Sequence, residues 1–246
     1  SSQKQFEKLS LVRNLVPQSA LYLNRLVNTI RSIPVQVSFL PGMGSQQLTK
    51  GLNVNRFSLN ILAGYSKGVT GFEIGGLANI TESNVKGGQV AGLVNVVNGQ
   101  INGLQLAGIF NYTFSKVTGA QISGIGNISN HDVEGLQLAG IFNNNKGTID
   151  GVQLGGVLNT NLGKITGLQL AGIANIQVNQ ITGCQISGIY GLASDVNGVQ
   201  LSGIMSHTTH DVSGVQVSSI LNRARKLNGL QFGLVNIADT IESGVQ

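Results

Sequence analysis

From Val69 onward, apolar and polar residues return in a fixed order. The phrase Ile165-Thr-Gly-Leu-Gln-Leu-Ala-Gly-Ile-Ala-Asn175 recurs with small changes to the last residue. Aligned on its central polar residue, the column reads Glu73, Gln89, Gln105, Gln121, Gln137, Gln153, Gln169, Gln185, Gln200, Gln216, Gln231 and Gln246. The spacing is 16 residues as far as Gln185 and 15 or 16 after it. Numbered from the first apolar residue, position 3 is Gly, 5 Gln, 7 small, 8 usually Gly and 11 usually Asn. Positions 4, 6 and 9 are mostly apolar, and 12–16 vary and are largely polar. A short fixed period is the mark of a solenoid. Twelve coils follow, beginning at Val69, Val85, Ile101, Val117, Val133, Ile149, Ile165, Ile181, Val196, Val212, Leu227 and Ile241. The period is too short for a helix and a strand per repeat, which leaves an all-β parallel solenoid. Strands stacked about 4.8 Å apart would make it a rod of roughly 55 Å.

Each recurring residue has a physical role in such a stack. Gly at positions 3 and 8 allows bends or backbone approaches that a Cβ would block. The Asn column, Asn79, Asn95, Asn111, Asn127, Asn143, Asn159 and Asn175, suits turns and coil-to-coil amide bonding. The Gln column can form a ladder in the same way. Which side faces inward has two solutions, because positions 4 and 6 point opposite to 5 and 7 in an extended strand. The favoured one places positions 1, 4, 6 and 9 in the core, since an internal Gln ladder needs every amide satisfied. The other leaves a Leu, Val and Ile outer wall that protein or lipid must cover.

The chain before the repeats reads differently. Residues 1–33 form a helical leader, with Leu11, Leu15, Leu21, Tyr22, Leu26, Val27 and Ile30 as an apolar stripe over 6–31. Pro17 breaks it into two short helices or one kinked one, and Pro34 ends it. Residues 34–68 hold a lead-in strand, Val35-Gln-Val-Ser-Phe-Leu, a loop at Pro41-Gly-Met-Gly, and a capping coil over Arg56–Tyr65. Residues 69–246 are the solenoid. A divergent first coil protects a strand edge that would otherwise recruit other chains.

Composition separates order from disorder. Only 10% of residues are charged, 41% are hydrophobic at regular positions, and there are 35 Gly against 3 Pro, which argues against a disordered Gly-rich chain. Charge is uneven. Lys4, Lys8, Arg13, Arg25, Arg31, Lys50, Arg56 and Lys67 face only Glu7 in residues 1–68, whereas the repeats hold seven bases and nine acids. Such a leader suits a solvated helix face or an anionic membrane surface. Twelve scattered aromatics do not make a nucleic-acid-binding face. Cys184 is the one cysteine, at an apolar repeat position, and reads as a small buried hydrophobe. No apolar run is long enough for a transmembrane helix. A start at Ser1 and a stop in mid-repeat read as fragment boundaries.

Catalytic chemistry has little to build on. The best polar cluster is Asp195 and Asp211, which precede adjacent coils, with His207 and His210 nearby. Two carboxylates and imidazoles are the groups that hold a metal or share a proton. His131-Asp-Val echoes His210-Asp-Val, however, which marks a recurring polar turn, and no metal or cofactor is expected. Arg223, Arg225 and Lys226 lie one coil on, placed to neutralise the acids or to meet a phosphate. Asn79-Ile-Thr, Asn111-Tyr-Thr and Asn127-Ile-Ser match the glycosylation sequon but belong to the Asn column.

Val35-Gln-Val-Ser-Phe-Leu-Pro-Gly, the segment Phe57-Ser-Leu-Asn-Ile-Leu-Ala-Gly-Tyr-Ser-Lys-Gly-Val-Thr-Gly-Phe-Glu-Ile-Gly-Gly-Leu-Ala-Asn-Ile80 and the Gly-x-Gln-x-x-Gly-x-x-Asn units resemble the C-terminal region of a group of Bacteroidota cell-envelope proteins. The resemblance covers nearly all of residues 34–246, and the repeats are also similar to those of other bacterial surface proteins. It implies an envelope location, at the periplasm or outer membrane, often with an upstream carboxypeptidase-regulatory-like or short secretin/TonB N-terminal domain. It carries no catalytic residues. The expected function is a non-enzymatic structural and interaction module, docking an envelope protein or an outer-membrane complex, or the membrane surface through its basic helices. The alternatives are an adhesin or glycan-binding rod and a carbohydrate-active β-helix with Asp195 and Asp211 in a cleft.

Overall fold

The computed structural model describes residues 2–26, 31–40, 43–44 and 53–246. It is an all-β parallel solenoid of about twelve coils preceded by three short helices.

The helices are α1 (Ser2–Lys8), α2 (Ser10–Leu15) and α3 (Gln18–Leu26), one more than the leader sequence predicts. Val16 is extended, at φ −96° and ψ 122°, as the residue before a proline prefers. Pro17 then opens α3, its carbonyl accepting from the N–H groups of Ala20 and Leu21. The extra break falls at Leu9, at φ −58° and ψ 130°, where no side chain caps α2. Val27 and Ile30 of the expected stripe lie outside the described residues, as do Pro41 and Gly42 of the expected loop.

Strand β1 (Arg31–Leu40) begins before Pro34 and runs through it. It pairs in parallel with β3 (Asn53–Asn60), Ile33 opposite Asn55 and Val35 opposite Phe57, and the proline position is left without a partner. Sheet edges tolerate that. Met43 and Gly44, inside the expected loop, form β2, antiparallel to the end of β1. β3 and β4 (Ala63–Ser66) form the capping coil, and β5 (Gly68–Gly75) with β6 (Ala78–Thr81) form the first regular one. In β3 one residue, Arg56, separates the positions paired with Val69 and Phe72, where β5 has two, so the register shifts there.

Later coils have a seven-residue first strand, as in Ile149–Gly155, and a four-residue second strand, as in Leu158–Asn161. Neighbours stack like on like, with Gly151 opposite Gly167, Gln153 opposite Gln169 and Asn159 opposite Asn175. Two glycine columns permit this stacking. Gly167 has φ 127°, and a Cβ there would run into the carbonyl oxygen of Gly151. At position 8, a Cβ on Gly172 would meet the carbonyl of Gly156 in the same way.

The fold divides into two compact units, residues 1–124 with 128–130, and residues 125–127 with 131–246. In the first, the helices lie on the outer side of the second strands. Phe6, Val12, Val16, Ala20 and Leu21 bury themselves against Tyr65, Ile80, Val96 and Phe114. Phe6 meets Phe114 edge to face, with ring centroids 5.9 Å apart. The leader is therefore a side cover for these coils.

The interior overturns the favoured reading of the repeat. Position 1 faces inward as expected, with Val133, Ile149, Ile165 and Ile181 buried. So does the Gln column, every member from Gln89 to Gln216 being fully buried, together with the Asn column. Positions 6 and 9 face outward instead, and Leu138, Leu170 and Ile141 remain 36%, 37% and 44% exposed. Hydrophobic burial is outweighed because the strands fix one parity: positions 1, 5 and 7 share a side, so Ile at 1 and Leu at 6 cannot both be core. Small residues at position 7 leave room for the amides. A Cβ on Gly155 would stand 2.6 Å from Asn159 Oδ1.

Candidate functional site: amide ladders and apolar outer walls

The inward amides satisfy one another. In the first unit Gln121 Nε2 donates to Gln105 Oε1 at 2.8 Å, Gln105 to Gln89 at 3.0 Å, and Gln89 to Glu73 Oε2 at 2.6 Å. In the second unit the same bond links Gln153 to Gln137 at 3.0 Å, Gln169 to Gln153 at 2.9 Å and Gln185 to Gln169 at 2.9 Å. It continues through Gln200 and Gln216. Every one of these bonds points toward the lower-numbered coil.

The Asn column runs the other way. Asn79 Nδ2 donates to Asn95 Oδ1 at 3.0 Å and Asn95 to Asn111 at 2.9 Å in the first unit. In the second, Asn127 donates to Asn143, Asn143 to Asn159 and Asn159 to Asn175, each at 2.9 Å. The second proton of each amide goes to the position-6 carbonyl of the following coil, as in Asn143 to Leu154 and Asn159 to Leu170, both at 2.7 Å. Both donors of each such Asn are thus used, and its oxygen is filled from the coil before, which is what permits amides in a dry interior.

A third inward column, position 13, escaped sequence reasoning because its residue type varies. Thr81, Thr113 and Thr208 take the second proton of Gln89, Gln121 and Gln216. Asn145, Asn161 and Gln177 form a ladder of their own. The signal that could have found it is parity with Asn at position 11.

Glu73 stands at the head of the first unit's Gln ladder. It is completely buried and accepts from Gln89, from Asn60 Nδ2 at 3.1 Å and from Thr81 Oγ1 at 3.2 Å. Burial pushes its carboxyl above the usual carboxylate range, and the hydrogen bonds from Gln89, Asn60 and Thr81 pull against it. Donors converge on its two oxygens from both sides, where a Gln would bring a donor against Asn60.

The predicted polar cluster assembles only in part. Asp195 Oδ1 accepts from the Asp211 backbone N–H at 3.3 Å, and Ser194 Oγ bridges Asp195 Oδ2 at 2.7 Å and His210 Nδ1 at 3.1 Å. Arg225 holds Asp211 in an exposed ion pair at 3.1 Å, and Lys226 pairs with Glu242. His207 sits on the outer side of a second strand, between Leu192 and Arg223. Burial and the Arg223 charge push its imidazole below the usual range. Among the described residues no three His, Cys, Asp or Glu side chains gather as metal ligands. The arrangement is a turn whose acids are already engaged.

Outward, the solenoid is apolar. On the first strands of the second unit, position 6 runs Leu138, Leu154, Leu170, Ile186, Leu201 and Val217, half-buried or exposed, and the corner row runs from Ile141 to Ile220. Cys184 belongs to this wall at position 4, in line with Leu168 and Val199, half-buried rather than in the core. Burial raises its thiol above the usual range. In the first unit, Leu11, Leu15, Leu40, Leu62, Leu77 and Leu93 line an apolar groove of about 190 Å³ beside α2. Among the described residues no helix is long and apolar enough to cross a membrane.

Comparison with family models, with curated proteins and with solved structures finds no match.

Proposed function

We propose that the chain is a non-enzymatic structural and interaction module whose apolar outer walls seat a protein partner. The observation that carries this is the inversion of the coil, with amides inside and Leu, Ile and Val outside. Monomeric soluble proteins rarely leave contiguous apolar patches beyond about 300–600 Å² uncovered. The leader shows the chemistry at work, since its own helices cover one such wall in the first unit. The acids support a non-catalytic reading: Asp211 is paired to Arg225, Glu73 ends a ladder, and Glu82 is held by Tyr65 and Lys67. We place the module in the bacterial cell envelope, on the resemblance of its repeats to those of envelope proteins.

The test uses single cysteines at Leu138 and at Asn144, an exposed second-strand residue, in a Cys184→Ala background. Both sites should react with a membrane-impermeant maleimide in the dilute purified protein. In envelope fractions Leu138 should be protected and Asn144 should still react. Equal labelling at both sites there would overturn the docking reading.

A further inference from the structure

The wall on the first strands of the second unit has no cover within its own unit, and its shape specifies what can lie on it. Positions 4, 6 and 9 from Leu136 to Ile220 carry no charged side chain. Their open surface, with Leu230, Phe232 and Leu234 at the end, amounts to on the order of 1,000 Å², against about 800 Å² per partner in a standard interface. That is enough for a stable dimer without help from other surfaces.

The wall is also a lattice. Its side chains repeat from coil to coil at the strand spacing of about 4.8 Å, in straight rows set by like-on-like register. A helix, with ridges inclined to its axis and a pitch of about 5.4 Å, does not match such rows over several coils. The wall that this chain's helices do cover is built differently, with Tyr65, Tyr112 and Phe114 among its contacts. Between Leu136 and Ile220 the first-strand wall has no aromatic at positions 4, 6 or 9, only aliphatic side chains and Cys184. Flat aliphatic rows pack best against a second sheet about 10 Å away with the same repeat. An anionic bilayer would want a basic wall, yet residues 131–246 carry five Lys and Arg against seven Asp and Glu.

We infer that the first-strand wall of the second unit, centred on Leu154, Leu170 and Ile186, binds the same wall of a second copy of this chain. A two-fold axis across the wall makes one patch complementary to itself, with rows meshing in both directions. The inference rests on the docking reading above and names its partner.

Sedimentation or light scattering of the full chain over a hundredfold range of concentration tests it. The expected species at high concentration has twice the 25.7 kDa chain mass. Leu170→Lys should give a monomer with unchanged far-ultraviolet circular dichroism, and Asn144→Lys should remain a dimer. Cys184 provides a readout that needs no substitution, because it lies within the wall. Its alkylation should speed up about tenfold on dilution into the monomer range. A wild-type chain monomeric throughout, or a Cys184 rate that ignores concentration, overturns the second-copy inference. If Leu138 is nonetheless protected in envelopes, docking survives with a different partner. A Leu170→Lys dimer overturns the choice of wall.

Discussion

Gln89 donates from Nε2 to a carboxyl oxygen of Glu73, where Gln105 and Gln121 donate to the amide of the coil below. Folding takes up a proton at Glu73, because burial raises its folded-state value above the 4.5 of an unfolded carboxyl. The stability this group contributes is complete below about pH 4.5 and drains away as pH rises through the folded-state value. Glu73→Gln removes that titration and sets a donor against Asn60 Nδ2. Urea unfolding of both proteins between pH 4 and pH 8 should show the variant less stable in acid, with the difference shrinking as pH rises. Parallel curves would show that Glu73 does not titrate between the two states.

An inside-out coil reverses the usual rule for truncations. Asn159→Ala leaves the Asn143 amide without its Oδ1 acceptor and the Leu170 carbonyl without its donor. At about 1–3 kcal/mol for each stranded group, the loss should reach roughly 2–5 kcal/mol. Leu170→Ala removes a side chain already 37% exposed and should cost about 1 kcal/mol or less in the monomer. Denaturant midpoints at low protein concentration decide the order, and a costlier Leu170→Ala would contradict the arrangement.

Gly167 has φ 127° and sits against the Gly151 carbonyl. Gly167→Ala adds left-handed strain of about 1–2 kcal/mol to a contact that must open the stack. A fall of roughly 5 °C or more in the melting temperature is expected. No change would mean that the column tolerates a Cβ after all.

The leader helices span 7, 6 and 9 residues, too short to persist alone in water, where about 12–15 are needed. Their order depends on docking, and Phe6 against Phe114 is its centre. Phe6→Ala, at about 3–5 kcal/mol, should release the leader as a unit. Hydrogen exchange would then show protection lost across residues 2–26 and kept in the strands from Val133 onward. Uniform loss would tie the leader to the stability of the whole chain.

Much of this architecture was readable beforehand for a simple reason. A column such as Gly87, Gly103 and Gly119 answers to a contact between identical neighbours, so its cause repeats at the period itself. The Asn column was readable on the same ground. Which face turns inward was not, because an amide looks costly to bury in a single coil, and only the next coil's Gln supplies the bond that offsets the cost. Parity held the missing clue, since Ile165 and Gln169 must share a side while Leu170 cannot join them. The Asp211 backbone N–H reaches Asp195 Oδ1, but Arg225 and Ser194 engage the two carboxylates, and local spacing says little about such partners.

The opposed directions of the Gln and Asn ladders have a consequence for how such a chain can change its length. A coil such as 149–164 receives an Asn bond and gives a Gln bond across its lower face, and does the reverse across its upper one. Any copy of it inserted in phase would find both sockets already waiting, so duplication of whole coils costs the interior nothing. A one-residue slip breaks both ladders at once. The Glu73 coil is different: its carboxyl accepts from Asn60 on one side and from Gln89 on the other, so it can begin a ladder but cannot be copied into the middle of one.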